Sequence, residues 1–315
     1  MLSPELRQRI VRTMVESRCL EERLLKMVRQ GLGHFWTGGP GEEAFNVCVG
    51  ALLNVGRGPD HDFLLPHYRS SAVALMAGVK SIDFLRQMLG RATDPFSRGR
   101  NFANHFCDVE RNLGPVSSPV NSQFVFGLGT ARAQQGRNGI TVVIGGDAST
   151  QSGDFASLLV WANRPEDPLP ILVLVTNNGV GISTSYASQH AEAHIADRAR
   201  PFGMAAATVS GMRVDETYAA LSRAFEHVRT TRRPYLLEAH VTRLWGHSSS
   251  SSTAALPGVE DPLAHEVIPE SWWADTRARL LSEENQVLAE PHVTPESAEL
   301  DVFGEGRPWP PLLRR

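Results

Sequence analysis

Three short runs rich in valine, isoleucine and leucine place the strongest constraint on the fold of this chain. They lie at residues 140–144, 171–176 and 235–241, and an apolar helical stretch from Asp154 to Ala162 separates the first two. Buried strands that alternate with helices are typical of a parallel sheet covered on both sides. The sequence therefore predicts an α/β fold with a mostly parallel sheet and helices on both faces.

Helices are also predicted ahead of this sheet. Ser3-Pro4-Glu5 has the cap, the first-turn proline and the acid that begin a helix, and apolar residues at helical spacing follow as far as Gly31. A second helix is predicted near residues 43–53. We divide the chain into an N-terminal helix (1–35), an α/β domain (36–255), and a C-terminal helix and tail (256–315) expected to contact a partner.

Bulk composition excludes several classes of protein. The chain has 315 residues, 42% hydrophobic and 21% charged, with a formal net charge of −3. This balance argues against an electrostatic surface for nucleic acid or for anionic membranes. The three cysteines are widely spaced without a CxxC pair, which favours free thiols in a reducing compartment. With no secretory signal pattern and no apolar run of bilayer length, a cytoplasmic location is expected.

Polar residues follow two of the predicted strands. Asp147 comes directly after the first, and Asn178 comes directly after the second. Because the carboxyl ends of parallel strands meet at one edge of a sheet, these side chains should lie close together. Carboxylate, amide and backbone carbonyl oxygens suit Mg²⁺, and the helix beginning near Asp154 would direct its amides toward an anion. The pattern predicts a metal-bridged diphosphate site, although such residues also serve simply as turn formers.

The same stretch resembles a known signature. GGDASTQSGDF and the later TNNGVGIST resemble the thiamine-diphosphate motif, G-D-G followed downstream by N-N. The order of the surrounding motifs resembles the alpha subunit of the first component of thiamine-diphosphate-dependent 2-oxo acid dehydrogenases of the pyruvate, branched-chain and acetoin types. The matching pieces include Arg18, Gly41-Glu42-Glu43-Ala44, His67-Tyr68-Arg69, Ser117-Ser118-Pro119 and Gly246-His247-Ser248.

The resemblance implies a role for each matched position. Asp147, Asn178 and the backbone carbonyl of Val180 would bind the metal. Tyr68 and Arg69 would contact the diphosphate, and Ser118 and Val120 would lie beside the cofactor's rings. The cofactor-binding turn would be formed by Gly146, Ala148 and Ser149. His247 would face the substrate or the diphosphate from a loop, and is the candidate for proton handling because imidazole titrates near neutral pH.

The resemblance also implies a function and partners. An enzyme of this kind uses thiamine diphosphate and Mg²⁺ to decarboxylate a 2-oxo acid, and passes the acyl group to a lipoyl carrier. The glutamate that activates the cofactor's aminopyrimidine belongs to a second polypeptide, the beta subunit. We therefore expect this chain to form half of a site in a two-plus-two heterotetramer, with a lipoyl-bearing transacylase as a further partner.

Several positions depart from the family pattern. Ala148 replaces the third glycine of G-D-G, Thr176 stands where many relatives have an arginine, and Ser249 to Ser252 replace acids. Two alternatives stay open. In the first, the chain belongs to another split thiamine-diphosphate enzyme, for acetoin cleavage or transketolase-like ketol transfer. In the second, it is a degenerate paralogue that binds cofactor or partner without turnover.

Other motifs carry weaker predictions. His190 and His194 would be one turn apart on a helix, but no third zinc ligand stands out in the sequence, so zinc is not expected there. Gly127-Leu128-Gly129 is interpreted as close packing between a helix and the sheet. His105 is interpreted as a core histidine. The serine-rich stretch 247–255 is predicted to be a mobile loop that cofactor and magnesium protect from proteolysis.

Overall fold

The computed structural model describes residues 2–251 and 258–299. The end of the predicted serine-rich loop and the tail beyond residue 299 therefore lie outside the described residues, together with part of the predicted partner-contacting segment. The first residues of that loop do lie within them, and they are held by hydrogen bonds. The backbone amide of Ser249 donates to the carbonyl of Trp36 at 2.8 Å, and Thr37 Oγ1 donates to the carbonyl of His247 at 3.2 Å.

The described chain contains α-helices, strands and short 3-10 helices. The α-helices are α1 (Pro4–Arg29), α2 (Glu43–Leu52), α3 (Ser71–Met76), α4 (Ser81–Met88), α5 (Ser122–Ala133), α6 (Gly153–Ala162), α7 (Tyr186–Gln189), α8 (Val214–Thr231) and α9 (Glu270–Leu288). The strands are β1 (Phe63–Leu65), β2 (Thr141–Gly146), β3 (Asn163–Arg164), β4 (Asp167–Pro168), β5 (Ile171–Asn177), β6 (Val180–Gly181), β7 (Thr184–Ser185), β8 (Ala205–Ser210) and β9 (Tyr235–His240). Short 3-10 helices cover Val109–Arg111, Asp147–Gln151, Ile195–Phe202, Pro262–His265 and Pro295–Glu299.

Five strands form the main sheet in the order β1-β2-β5-β9-β8, and each pair of neighbours is parallel. This confirms the predicted α/β class. Strands β2 and β5 are adjacent, and Gly146 lies opposite Thr176 in their register. The residues that follow these two partners, including Asp147 and Asn178, therefore leave the sheet at the same edge.

Helices cover both faces of the sheet, as predicted. Successive strand residues point to opposite sides, so each face contributes side chains to its own core. Val142 and Leu172 pack into a core that also contains Ile10 and Met14 of α1. Their neighbours along the strands pack into a second core against α5 and α6. Helix α1 thus shares the core of the sheet, and α9 packs against α1 and α4. The domain boundaries proposed from the sequence stay predictions.

The start of helix α1 and the state of the three cysteines agree with the expectations from the sequence. Helix α1 begins at Pro4, and Ser3 Oγ accepts the backbone amide of Leu6 at 3.2 Å, as its capping role requires. The three cysteines are free thiols, which confirms the expected lack of a disulfide framework. Among the described helices, none is both long and apolar enough to span a bilayer.

The two glycines of α5, Gly127 and Gly129, have different surroundings. A Cβ at Gly127 would lie 2.5 Å from Val143 Cγ2 and 3.1 Å from Ile171 Cδ1, so the helix approaches the sheet through the missing side chain. A Cβ at Gly129 would meet nothing within 4 Å. The close-packing interpretation is confirmed for Gly127 and wrong for Gly129, which lies on the exposed side of the helix.

This difference predicts opposite effects of the same substitution. Gly127→Ala should lower the free energy of unfolding by about 1–3 kcal/mol, because the added methyl group overpacks the helix–sheet contact. Gly129→Ala should raise it by up to about 1 kcal/mol, because alanine loses less backbone entropy in a helix. Urea unfolding of both variants measures the difference. Equal effects at the two positions would contradict this packing.

Candidate functional site

The carboxylate of Asp147 lies at the carboxyl end of β2, where the 3-10 helix Asp147–Gln151 begins. The side chain is buried, and its Oδ2 atom has no hydrogen-bond partner within the described residues. Burial raises the pKa of this carboxyl group above its ordinary value. An unpaired buried carboxylate is costly unless a cation neutralises it. The environment of Asp147 therefore fits a metal ligand.

Asn178 and Val180 extend this arrangement from the neighbouring strand. Asn178 follows β5, and its Oδ1 accepts the backbone amide of Val180 at 3.2 Å. Together with Asp147 they line one cavity of about 480 Å³ at the carboxyl edge of the sheet. A carboxylate, an amide oxygen and a backbone carbonyl are thus available to one hard cation.

The same cavity is lined by every residue that the sequence singled out for the cofactor or the metal. These are Tyr68, Arg69, Ser118, Val120, Gly146, Asp147, Ala148, Ser149, Asn178, Val180 and His247. The fold therefore brings together segments from widely separated parts of the chain. The individual binding roles stay predictions.

Ala148 is accommodated without backbone strain. It lies within a 3-10 helix and is not among the residues with positive φ, so the glycine of the family motif is not required here. Its methyl group fills space beside the β6 strand, because a Cβ placed on Gly181 would lie 2.6 Å from Ala148 Cβ. The alanine that departs from the motif is therefore compatible with the backbone of this turn.

Tyr68, Arg69 and His247 form a connected group in the lining of the same cavity. Tyr68 Oη lies 3.2 Å from His247 Nε2. Arg69 is buried, and its guanidinium donates to the backbone carbonyls of Gly38 and, at 3.2 Å, of His247. Arg69 thus fixes the start of the serine-rich loop while it presents positive charge to the cavity. Its contact with a diphosphate stays a prediction.

The imidazole of His247 is held in its neutral form. Burial, with the positive charges of Arg69 and Arg243, lowers the pKa of His247 to about 4. The expectation that this histidine titrates near neutral pH is therefore not met in the cofactor-free protein. A neutral imidazole accepts a proton but has none to give as an imidazolium. The chemistry open to His247 in this state is that of a base or a hydrogen-bond partner.

Among the residues of the cavity wall that were not assigned a role from the sequence, Arg243, Ile182 and Glu42 have notable surroundings. Arg243 brings a second guanidinium to a site where Thr176 carries no charge. Its Nη2 donates at 2.9 Å to the carbonyl of Ile182, which has a φ of 57° despite its β-branched side chain. Such a backbone conformation is strained, and it lies in the turn between β6 and β7, which borders the cavity. Glu42 and Ile182 lie within stretches quoted above for the family resemblance, which was the signal for them in the sequence.

Glu42 is the third of these residues. Burial raises the pKa of Glu42 to about 7, against a smaller opposing effect of Arg69. The sequence shows two consecutive glutamates before α2. It does not show that Glu43 turns to Arg18, at 2.6 Å, while Glu42 faces the cavity.

Glu42→Gln should make the unfolding free energy less dependent on pH. In the unfolded chain Glu42 ionises near its ordinary pKa of 4.5, and in the folded chain near 7. The wild type therefore loses stability relative to the variant as pH rises from about 4.5 to 7, by on the order of 3 kcal/mol at pH 8. Urea unfolding of the cofactor-free proteins at pH 4.5 and pH 8 measures this. A constant difference between them would contradict it.

The other histidines occupy distinct surroundings. His105 is buried outside the cavity lining, but its Nε2 lies 2.8 Å from Oγ of Ser118, which does line the cavity. His190 and His194 do not share a helix, since α7 ends at Gln189. His190 contacts Gln151 instead: the imidazole Nδ1 of His190 lies 2.7 Å from the side-chain amide nitrogen Nε2 of Gln151. The helical spacing assumed for this pair is therefore wrong.

Sequence comparisons bear on these observations. The family described as dehydrogenase E1 component matches residues 11–255. The chain is 32% identical over 252 residues to the 2-oxoisovalerate dehydrogenase subunit alpha of Bacillus subtilis (strain 168), covering 79% of this chain and 74% of that one. It is 31% identical to the mitochondrial subunit alpha of Caenorhabditis elegans (78% of this chain, 56% of that one). It is 30% identical to the mitochondrial 2-oxoisovalerate dehydrogenase subunit alpha 1 of Arabidopsis thaliana, covering 80% of this chain and 52% of that one. The chain thus spans three quarters of the bacterial relative and about half of the plant and nematode ones.

Proposed function

The chain belongs to the dehydrogenase E1 component family, and we propose that it is the alpha subunit of a thiamine-diphosphate-dependent 2-oxo acid dehydrogenase. The matched relatives are named for 2-oxoisovalerate, so the proposed substrates are branched-chain 2-oxo acids. The proposed enzyme releases carbon dioxide and passes the acyl group to a lipoyl carrier.

One observation carries this proposal. Oδ2 of Asp147 is buried without a partner in the described part of the chain, in a cavity shared with Asn178 and Val180. This donor set suits an octahedral Mg²⁺ that also binds phosphate oxygens. The ion is proposed to be Mg²⁺ for that reason.

The chain's own residues have separable tasks in this site. Thiamine diphosphate, when bound, supplies the electron sink that lets the substrate carboxylate leave as carbon dioxide. Asp147 and Asn178 would hold the cation, and the cation would anchor the diphosphate. Arg69 and Arg243 lower the cost of placing a polyanion in a cavity of low polarity. Tyr68, whose Oη lies 3.2 Å from Nε2, orients the neutral imidazole of His247 in the lining of the cavity.

A second polypeptide completes the proposed site. The catalytic glutamate of this family is contributed by the beta subunit, and the neighbouring helices α5 and α6 leave large apolar side chains exposed. These are Phe126 on α5 and Val160 and Trp161 on α6. Exposed apolar groups of this size support a partner-binding surface. We propose a two-plus-two heterotetramer, acting with a lipoyl-bearing transacylase in the cytoplasm.

The test is reconstitution with a beta subunit. With that subunit, thiamine diphosphate and Mg²⁺, carbon dioxide should be released from branched-chain 2-oxo acids faster than from pyruvate, and either chain alone should release none. Acetoin cleavage or ketol transfer without decarboxylation would favour another split enzyme. Tight cofactor binding with no turnover on any 2-oxo acid would indicate a non-catalytic paralogue.

A further inference from the structure

Three potential metal ligands meet at the carboxyl end of β9, and these three residues are not part of the lining of the cofactor cavity. His194, Glu238 and His240 each offer one ligand atom, and these atoms lie within 4.8 Å of one another. Glu238 and His240 are two residues apart on one strand, so their side chains point to the same face of the sheet. His194 comes immediately before the 3-10 helix Ile195–Phe202, which packs on that face.

The carboxylate of Glu238 has unusual surroundings for a buried acid. The residue is 0% exposed. Its Oε1 accepts from Asn177 Nδ2 at 2.7 Å and its Oε2 accepts from the backbone amide of Ala196 at 3.1 Å. Both donors are neutral, and within the part of the chain that the structure describes this carboxylate forms no ion pair with an arginine or lysine, while each oxygen keeps a lone pair free. A bound cation would supply that compensation.

The two imidazoles are available as ligands. Both rings are exposed, their centroids lie 5.8 Å apart, and neither ring has a hydrogen-bond partner within residues 2–251 and 258–299. Ligand atoms around a tetrahedral zinc lie about 3.4 Å apart, so the observed group needs a closure of roughly 1 Å. The two imidazoles are exposed, so rotation of their side chains would provide this closure. Nitrogen, nitrogen and carboxylate oxygen form a set that zinc prefers, with a fourth position open to water.

We propose that His194, Glu238 and His240 form a binding site for one zinc-class divalent cation per chain. This site is separate from the hard-cation site at Asp147 and independent of the proposed catalytic function. It would join β9 to the end of the segment 178–194. Asn178, Val180 and Gln189 of that segment line the large cavity, so metal binding should restrict its motion.

The test uses the full-length, metal-free chain with excess Mg²⁺ and thiamine diphosphate, so that the Asp147 site is saturated. We expect one equivalent of Co²⁺ to give visible absorption bands of a tetrahedral ion, and zinc to displace it. The double variant His194→Ala/His240→Ala should bind zinc about 100-fold more weakly or worse. A control double variant, His34→Ala/His292→Ala, alters two exposed histidines elsewhere and should bind like the wild type.

A second measurement separates binding from general damage to the fold. Zinc should raise the thermal unfolding midpoint of the wild type and of the control variant, but not that of His194→Ala/His240→Ala. Both substituted residues are exposed, so the metal-free midpoints should agree. The proposal is overturned if the wild type binds no zinc under these conditions, or if it and His194→Ala/His240→Ala bind zinc equally.

Discussion

Asp147→Asn should weaken metal-dependent binding of thiamine diphosphate by about 100-fold or more, while leaving the cofactor-free protein at least as stable as the wild type. The substitution keeps the shape of the side chain and removes the charge that a cation would neutralise. Because burial raises the pKa of Asp147, the charged form is disfavoured in the empty site. The two effects therefore have opposite signs. Calorimetric titration with cofactor and Mg²⁺, together with urea unfolding, measures both.

Asp197→Asn is the matched control for this prediction. Asp197 lies in another 3-10 helix and pairs at 2.9 Å with Arg200, whose side chain is largely exposed. An exposed ion pair contributes little to stability, so this variant should bind the cofactor as the wild type does. If Asp147→Asn retained full Mg²⁺-dependent affinity, or if it lost affinity only by unfolding, the metal-ligand role would be wrong.

His247→Asn should lower the turnover of the reconstituted enzyme by about 100-fold or more and change cofactor affinity much less. The imidazole has a hydrogen-bonding neighbour in Tyr68 and is neutral in the empty site, and the negative charge of a bound diphosphate would raise its pKa from about 4 toward the working pH of a base. Asparagine keeps polarity but cannot act as a base near neutral pH. Steady-state kinetics and calorimetric titration on the same preparation separate the two effects.

Two further variants qualify the role of His247. Tyr68→Phe removes the hydroxyl group that contacts the imidazole, and should reduce turnover by only about tenfold if its task is orientation. His34→Asn changes an exposed histidine and should have no effect on turnover. A loss of cofactor affinity in His247→Asn that accounts for the whole loss of activity would make His247 a binding residue instead.

The central strands could be predicted from the sequence because local pattern and burial agree there. Strand β5 is buried along its whole length, and its uninterrupted apolar run shows this directly. Strand β1 has only three residues, and β8 alternates between half-buried and exposed positions at the edge of the sheet. The apolar run of β1 is too short for the prediction, and β8 lacks a continuous apolar run, so both strands were missed.

The candidate metal ligands of the cavity could be predicted from the sequence, but the charges and pKa values of its other residues could not. Asp147 and Asn178 follow strands, so the rule for parallel sheets brings them together. The orientation of Glu42, the charge contributed by Arg243 and the lowered pKa of His247 depend on which side chains face one another after folding. The grouping of His194 with Glu238 and His240 depends on the same long-range packing. No local pattern in the sequence reports such contacts.

The most direct test of the cofactor site is a crystal structure of the chain with thiamine diphosphate and Mn²⁺, in which anomalous scattering locates the ion. The donor set predicts a single octahedral ion about 2.0–2.2 Å from Asp147 Oδ2, Asn178 Oδ1 and the carbonyl oxygen of Val180, shared with the diphosphate oxygens. An ion bound away from Asp147 and Asn178, or a diphosphate held without any ion between it and these residues, would contradict the proposed site.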